Sequence, residues 1–404
     1  MAFLPIGIQT FRDIRTNDFV YVDKTALIYE LVRPGKGYYF FSRPRRFGKS
    51  LLVSTLGSLF AGDAELFDGL DIAKTGYEFP AYPVLTFDFS MIPHRNEAEL
   101  EQGLLYILDR MAQDHGVTLP VGTPPGPRFR SLLRELGKRG QVVVLVDGYD
   151  KPIVAHIGNP DMADKCWDVL RGFLGVLKSS DHLIRFVFIT GITKLANIST
   201  CSEMNNLDDI SQDRRYADLL GWTEQEVAAS LCDHVDAFAE ELAITREELT
   251  DHLRAMYNGY RFSSKDVTVF NPWSILNALE KRELHNYWFD SDSSTFLMEM
   301  LQERLANEPA FSMANLYDYK MSASMLPSIN IRNLTLETVF FQVGYLTIKK
   351  TSGSFTDIYY HLGFPNREVE QSLLHAVHNF LSGQDSARAT DDLDRLVALA
   401  QDGD

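Results

Sequence analysis

Residues 37–62, GYYFFSRPRRFGKSLLVSTLGSLFAG, constrain this chain more than any other stretch. An apolar run from Tyr38 to Phe41 breaks into a short polar loop, and Gly48-Lys49-Ser50 then opens an amphipathic segment. That is the strand–loop–helix order a phosphate-binding loop requires, because the free N–H groups and dipole of a helix N-terminus attract an anion. In such a loop Lys49 reaches the β- and γ-phosphates, and the Ser50 hydroxyl ligates Mg²⁺. Arg43 stands where the G-x-x-x-x-G-K-[ST] signature (Walker A) has its first glycine, so the tripeptide needs support from the rest of the chain.

Downstream, Tyr82 to Ser90 (YPVLTFDFS), Gln141 to Asp147 (QVVVLVD) and His182 to Thr190 (HLIRFVFIT) read as buried strands. Amphipathic helices are expected between them over 97–113, 129–136 and 162–178, with a Pro/Gly-rich connector over 120–127. Near the start, Phe19 to Val22 reads as a short strand, and Asp23 as the cap of a following helix. Strand–helix alternation over roughly the first 200 residues predicts an α/β fold, a P-loop NTPase whose parallel sheet is flanked by helices. Ligands of such sheets sit at the carboxyl ends of the strands, where Arg43 to Ser50, Asp147 and Thr190 all fall.

The expected nucleotide contacts are therefore Arg43, Arg45, Arg46, Phe47, Gly48, Lys49, Ser50, Leu51 and Thr190. Ser50 and Asp147 are the expected Mg²⁺ ligands, and Lys49, Asp147 and Asp150 the catalytic set. Each has a plainer reading: ion pairs for the arginines, a strand-end cap for Asp147, a backbone-bonded hydroxyl for Thr190. Hydrolytic members of this broad class carry a Glu after the strand-end Asp to polarise water; here the position is Gly148. Asp150, the nearest substitute, is displaced by roughly 6–7 Å along an extended chain, so hydrolysis should be slow or absent. Arg214 and Arg215 read as solvated surface charges before sensor or finger arginines.

From Thr223 the pattern turns helical, with Thr-x-x-Glu capping boxes at Thr223 and Thr245 and further helices over 272–280 and 294–306. Leu334 to Val343 (helix), 345–349 and 357–361 (hairpin) and 368–382 (helix) resemble a winged-helix unit. The expected parts are a core over 1–215, a helical lid-like region over 216–285, and a helical and winged-helix-like part over 286–404, ending in a linker-like tail.

A net charge of −16 argues against indiscriminate binding to nucleic acid or membrane surfaces. Cys166, Cys201 and Cys232 have no metal-ligand spacing, and His375 and His378 lack further ligands nearby. With no signal peptide and no membrane-length apolar run, the chain reads as cytoplasmic. The one acid-x-Lys triplet of nuclease type, Asp318-Tyr319-Lys320, reads as accidental and outside any strand.

VYVDKTALI, FSRPRRFGKSLL and VVVLVDGYDKPI together look like the AAA-ATPase-like family of bacterial P-loop proteins. TGITKLANIS, SEMNNLDDIS, RRYADLLGWTEQEV, MYNGYRFS, NPWSILNAL, NYWF, FFQVGYLTIK and HLGFPNREV extend the resemblance along almost the whole chain. It implies ATP and Mg²⁺ as ligands, a relation to signal-transducing P-loop ATPases, and helical and winged-helix-like parts after the core. The family's usual text is D-E-Y-D-K-P, so Gly148 replaces its Glu; many members also carry a C-terminal PD-(D/E)XK nuclease-like domain, whose residues are absent here. The expected function is an Mg-ATP-dependent switch with impaired turnover. The alternative is a nucleic-acid- or partner-binding module of a nuclease-linked, defence-type system, with nucleotide as a structural ligand.

Overall fold

Unbroken apolar runs become the middle of a five-stranded parallel sheet because both of its faces are covered by helices. The strands are β1 (Gly37–Ser42), β2 (Val84–Asp88), β3 (Val142–Asp147), β4 (Ile184–Gly191) and β5 (Asp208–Asp209), in the order β2-β3-β4-β1-β5. All of β4 is buried, and so are the first five residues of β3. The computed structural model describes residues 1–195, 204–288, 294–308, 312–326, 328–354 and 357–382. Cys201, the last four residues of TGITKLANIS and the expected C-terminal linker lie outside them. The chain divides into two compact units, Ala2–Gly221 with Pro327–Leu334, and Trp222–Leu326 with Thr335–Asp404. The expected parts 1–215, 216–285 and 286–404 cut the chain elsewhere: residues 216–221 and 327–334 cluster with the first unit.

In the first unit the helices are α1 (Phe11–Thr16), α2 (Thr25–Val32), α3 (Lys49–Ala61), α4 (Glu97–Asp114), α5 (Pro125–Gly137), α6 (Lys151–Val154), α7 (Pro160–Leu174) and α8 (Val176–Ser179). Phe87, Val144, Val146 and Ile189 point to the face packed by α4, α5 and α7, with Leu104, Phe129 and Phe173 fully or almost fully buried there. The alternate residues, Val143, Leu145 and Asp147 on β3, point to the face covered by α3.

Three local expectations change. The strand expected over Phe19 to Val22 is a single bridge between Phe3 and Phe19, although Asp23 does cap, its Oδ1 accepting from the Thr25 N–H at 2.8 Å. Helix α5 starts inside the expected connector, because prolines at 125 and 127 fall in the first turn, where no N–H is needed. The helix expected over 162–178 is two helices, parted at Gly175.

A second stretch completes the first unit from far away in sequence. Ile329 bridges Leu195, its N–H donates to the Lys194 carbonyl at 2.8 Å, and Arg332 reaches Asp161 and Asp164 at 2.9 and 2.6 Å.

The second unit holds α9 (Glu224–Ser230), α10 (Cys232–Leu242), α11 (Arg246–Tyr257), α12 (Pro272–Lys281), α13 (Ser294–Asn307), α14 (Leu336–Val343) and α15 (Arg367–Ser382). Strands β6 (Tyr319–Ser322), β7 (Thr347–Ser354) and β8 (Asp357–Gly363) form an antiparallel sheet in the order β6-β8-β7. Both capping boxes form: Thr223 and Thr245 accept from the N–H groups of Glu226 and Glu248, whose carboxylates bond back. Thr223→Ala is expected to destabilise this unit by about 1 kcal/mol in urea unfolding, the usual worth of such a cap.

Asp318-Tyr319-Lys320 proves to lead into a strand, contrary to expectation, and pairing supplies the reason: β6 is held by β8. Its side chains are used locally. Asp318 Oδ1 meets His361 Nδ1 at 2.8 Å, His361 Nε2 meets Ser352 Oγ at 3.0 Å, and the Lys320 ammonium lies 4.5 Å from the Tyr359 ring centre. These contacts clasp the three strands.

Candidate nucleotide site

The loop between β1 and α3 is built on two left-handed residues, Arg46 (φ +68°) and Gly48 (φ +87°). Gly48 adopts this region freely; for Arg46 it stores strain, which ordinary folds rarely retain away from working sites. Gly48 is the N-cap of α3 and caps it with no side chain, leaving the first N–H groups of a thirteen-residue helix for an incoming acceptor. Phe47 is buried and Arg45 exposed.

Arg43, at the missing glycine, turns inward. Its guanidinium donates to the carbonyls of Ser42 (2.9 Å), Ser211 (2.6 Å) and Tyr216 (3.3 Å), and stacks 4.2 Å from the Phe41 ring centre. Burial pushes it down to about 9. The Arg43 guanidinium, expected at phosphate together with Arg45 and Arg46, is engaged by these carbonyls. Arg43 instead ties the loop to the 211–217 segment, which no sequence motif announces.

Lys49 folds back over its own loop, donating to the Arg43 carbonyl at 2.9 Å and the Pro44 carbonyl at 2.7 Å. Burial pushes its ammonium down to about 8, against the pull of Asp150 and Asp147. Asp147 ends β3 one strand away from β4, which separates it from β1. Burial raises its carboxyl above the ordinary range, the Ser50 hydroxyl hydrogen bond and Lys49 oppose this, and Asp88 adds to it.

A hydroxyl and a carboxylate in contact are a hard-oxygen pair suited to Mg²⁺, which keeps several waters and takes phosphate oxygens. Among the described residues no group of three or more His, Cys, Asp or Glu could hold a metal alone. The donor set thus fits a metal shared with a phosphate ligand, and such a metal would neutralise charge developing on phosphate oxygens.

Two expected residues are engaged by the fold. Thr190 is fully buried and its hydroxyl donates to the Phe41 carbonyl at 2.6 Å, the plainer of its two readings. Asp150 is 1% exposed, and its Oδ2 accepts from the N–H groups of Ile192 (3.0 Å) and Thr193 (2.7 Å) and the Thr193 hydroxyl (2.8 Å). Beside it, the buried Tyr149 hydroxyl donates to the Thr193 carbonyl at 3.0 Å and accepts from the Leu195 N–H at 3.1 Å. The loop after β3 thus grips the exit of β4. Arg215 pairs with Asp213 at 2.5 Å, as a surface charge does.

Sequence reasoning passed over Asp88, the last residue of β2. It is the register neighbour of Asp147, and only strand pairing reveals that.

A family model described as Predicted AAA-ATPase matches residues 5–200. A relative from Azotobacter chroococcum mcd 1, an uncharacterized protein in the vnfD 5' region, is 39% identical over 378 residues, which is 93% of this chain and 69% of that protein. This chain belongs to the AAA-ATPase-like family. The matched range contains the β1–α3 loop, Asp147, Asp150 and Thr190. Among solved structures, the Drosophila ORC bound to AT-rich DNA and Cdc6 aligns over 90% of this chain and 94% of that one, at 9% identity and a TM-score of 0.21. A score that low carries no argument about fold or partner. Among the described residues no helix is long and apolar enough to cross a membrane.

Proposed function

We propose that this AAA-ATPase-like chain binds Mg-ATP and works as a nucleotide-dependent switch with slow turnover. The observation that carries the reading is the convergence of Lys49, Ser50 and Asp147 on an uncapped helix N-terminus at the carboxyl edge of the sheet. In this reading the first N–H groups of α3 and the Lys49 ammonium hold the phosphates. Ser50 and Asp147 hold Mg²⁺, and Arg45 and Arg46 add positive charge at the rim. Asp150 is a positioning residue: it fixes the β4 exit and helps keep Lys49 charged.

Slow turnover follows from Gly148, which has no side chain with which to activate water. The helical and winged-helix-like parts respond to the bound nucleotide.

Calorimetric titration with Mg-ATP, run beside a phosphate-release assay, tests the proposal. The expected result is saturable, Mg²⁺-dependent binding with weak turnover. No binding at millimolar Mg-ATP overturns it.

A further inference from the structure

Removing the carboxylate from position 148 leaves open which group, if any, receives a proton from water. Asp150 is buried, and its Oδ2 already accepts three hydrogen bonds. Gly191 is packed against its other oxygen so closely that a Cβ there would lie 2.4 Å from Oδ1. It has no room to swing.

Asp88 is placed differently. It ends β2, whose residues alternate, with Leu85 and Phe87 in the core and Thr86 exposed. Paired residues on adjacent parallel strands point to the same face about 4.8 Å apart. Asp88 is paired with Asp147, and Asp147 with Thr190, so all three stand on the α3 face at the carboxyl edge. Asp88 is half-buried rather than sealed. Its Oδ1 is oriented by the Ser90 N–H at 2.7 Å and the Ser90 hydroxyl at 2.5 Å. Its Oδ2 takes no hydrogen bond from the described residues.

We infer that Asp88 is the catalytic carboxylate of ATP hydrolysis in this chain, doing from β2 what Gly148 cannot do from β3. The inference rests on the nucleotide-binding reading. In the step, a water oxygen bonds to the γ-phosphorus and the bond from that phosphorus to the β–γ bridging oxygen breaks. ADP leaves with the electron pair. The water proton passes to Asp88 and from there to the phosphate product, regenerating the carboxylate.

Asp88→Asn keeps the shape and the acceptor for Ser90 while removing the base. Expected is a fall in ATP turnover of at least about tenfold, below the usual contribution of general base catalysis because this enzyme starts slow. The affinity for Mg-ATP and the Mg²⁺ concentration needed for half-saturation should stay within about threefold, as a group acting on water alone contributes little to ground-state binding. Ser90→Ala, which removes the hydroxyl bond to Oδ1 and leaves the N–H bond, should lower turnover less, again at unchanged affinity.

Full turnover in D88N, or a wild-type protein that binds Mg-ATP and never hydrolyses it, overturns the inference and leaves the binding reading intact. A shift of the Mg²⁺ requirement in parallel with turnover also overturns it, since Asp88 would then serve the metal. Failure of wild type to bind nucleotide removes the underlying reading instead.

Discussion

Lys49→Ala is expected to weaken Mg-ATP binding by roughly 10- to 100-fold, the worth of one to two tenfold steps for a lost charged hydrogen bond. Calorimetric affinities of the variant and wild type check it. The pH dependence is the sharper signature. Burial holds the free Lys49 ammonium down at about 8, well below its ordinary range. Phosphate oxygens favour the charged form, so nucleotide binding near pH 8 should draw a proton onto Lys49. Titrations in buffers of different ionisation enthalpy should show net uptake near pH 8 in wild type and lose it in Lys49→Ala.

The stability of the free protein moves in the corresponding sense. Between about 8 and the ordinary lysine value near 10.4 the unfolded chain binds more protons, so this group's contribution to stability rises with pH through that window. A flat dependence there, together with no proton uptake, would show that Lys49 is not held as its two carbonyl contacts imply.

The second large effect is on folding. Asp150→Ala removes the acceptor of two N–H groups and one hydroxyl at the exit of β4. Buried donors left unpaired cost about 1–3 kcal/mol each, and part is returned by not burying a charge, so a net loss of about 3 kcal/mol is expected. For a unit of this size that lowers the melting temperature by roughly 6–12 °C. Differential scanning calorimetry reads it. A change below about 2 °C would mean that the loop after β3 does not depend on this carboxylate.

Gly148 also differs in kind from a missing side chain. Its φ is +67°, in the left-handed region, and its N–H donates to the Thr190 carbonyl at 2.8 Å. A Glu at that position meets backbone strain of about 1–2 kcal/mol before it can act on water.

What could be read from residues alone was what repeats locally. The runs around Val144 and Phe188 announce buried strands, and the capping boxes at Thr223 and Thr245 announce helix starts, because each signal is complete within a few residues. Gly48-Lys49-Ser50 was legible for the same reason. Strand β5 was not: it is two aspartates, with no strand propensity of their own, held by pairing with Tyr39 and Phe40. Asp88 and Asp150 were visible as letters, but their surroundings come from partners on other strands and loops. Arg43 was the least legible, because a basic residue in a phosphate loop suggests an anion, while here its guanidinium donates to the carbonyls of Ser42, Ser211 and Tyr216.

The return of 328–334 to the first unit has a consequence for synthesis. A chain emerging from the ribosome delivers β1 to β5 and the whole β1–α3 loop long before Ile329 and Arg332 exist. Domains generally fold as they emerge, yet this one stays unfinished beside Leu195 until more than a hundred further residues have been made. Any fragment ending at Gly221 keeps that edge bare. Leu195 follows the Thr193 that Asp150 grips, so the last part of this unit to be made closes next to the loop that Asp150 holds in place.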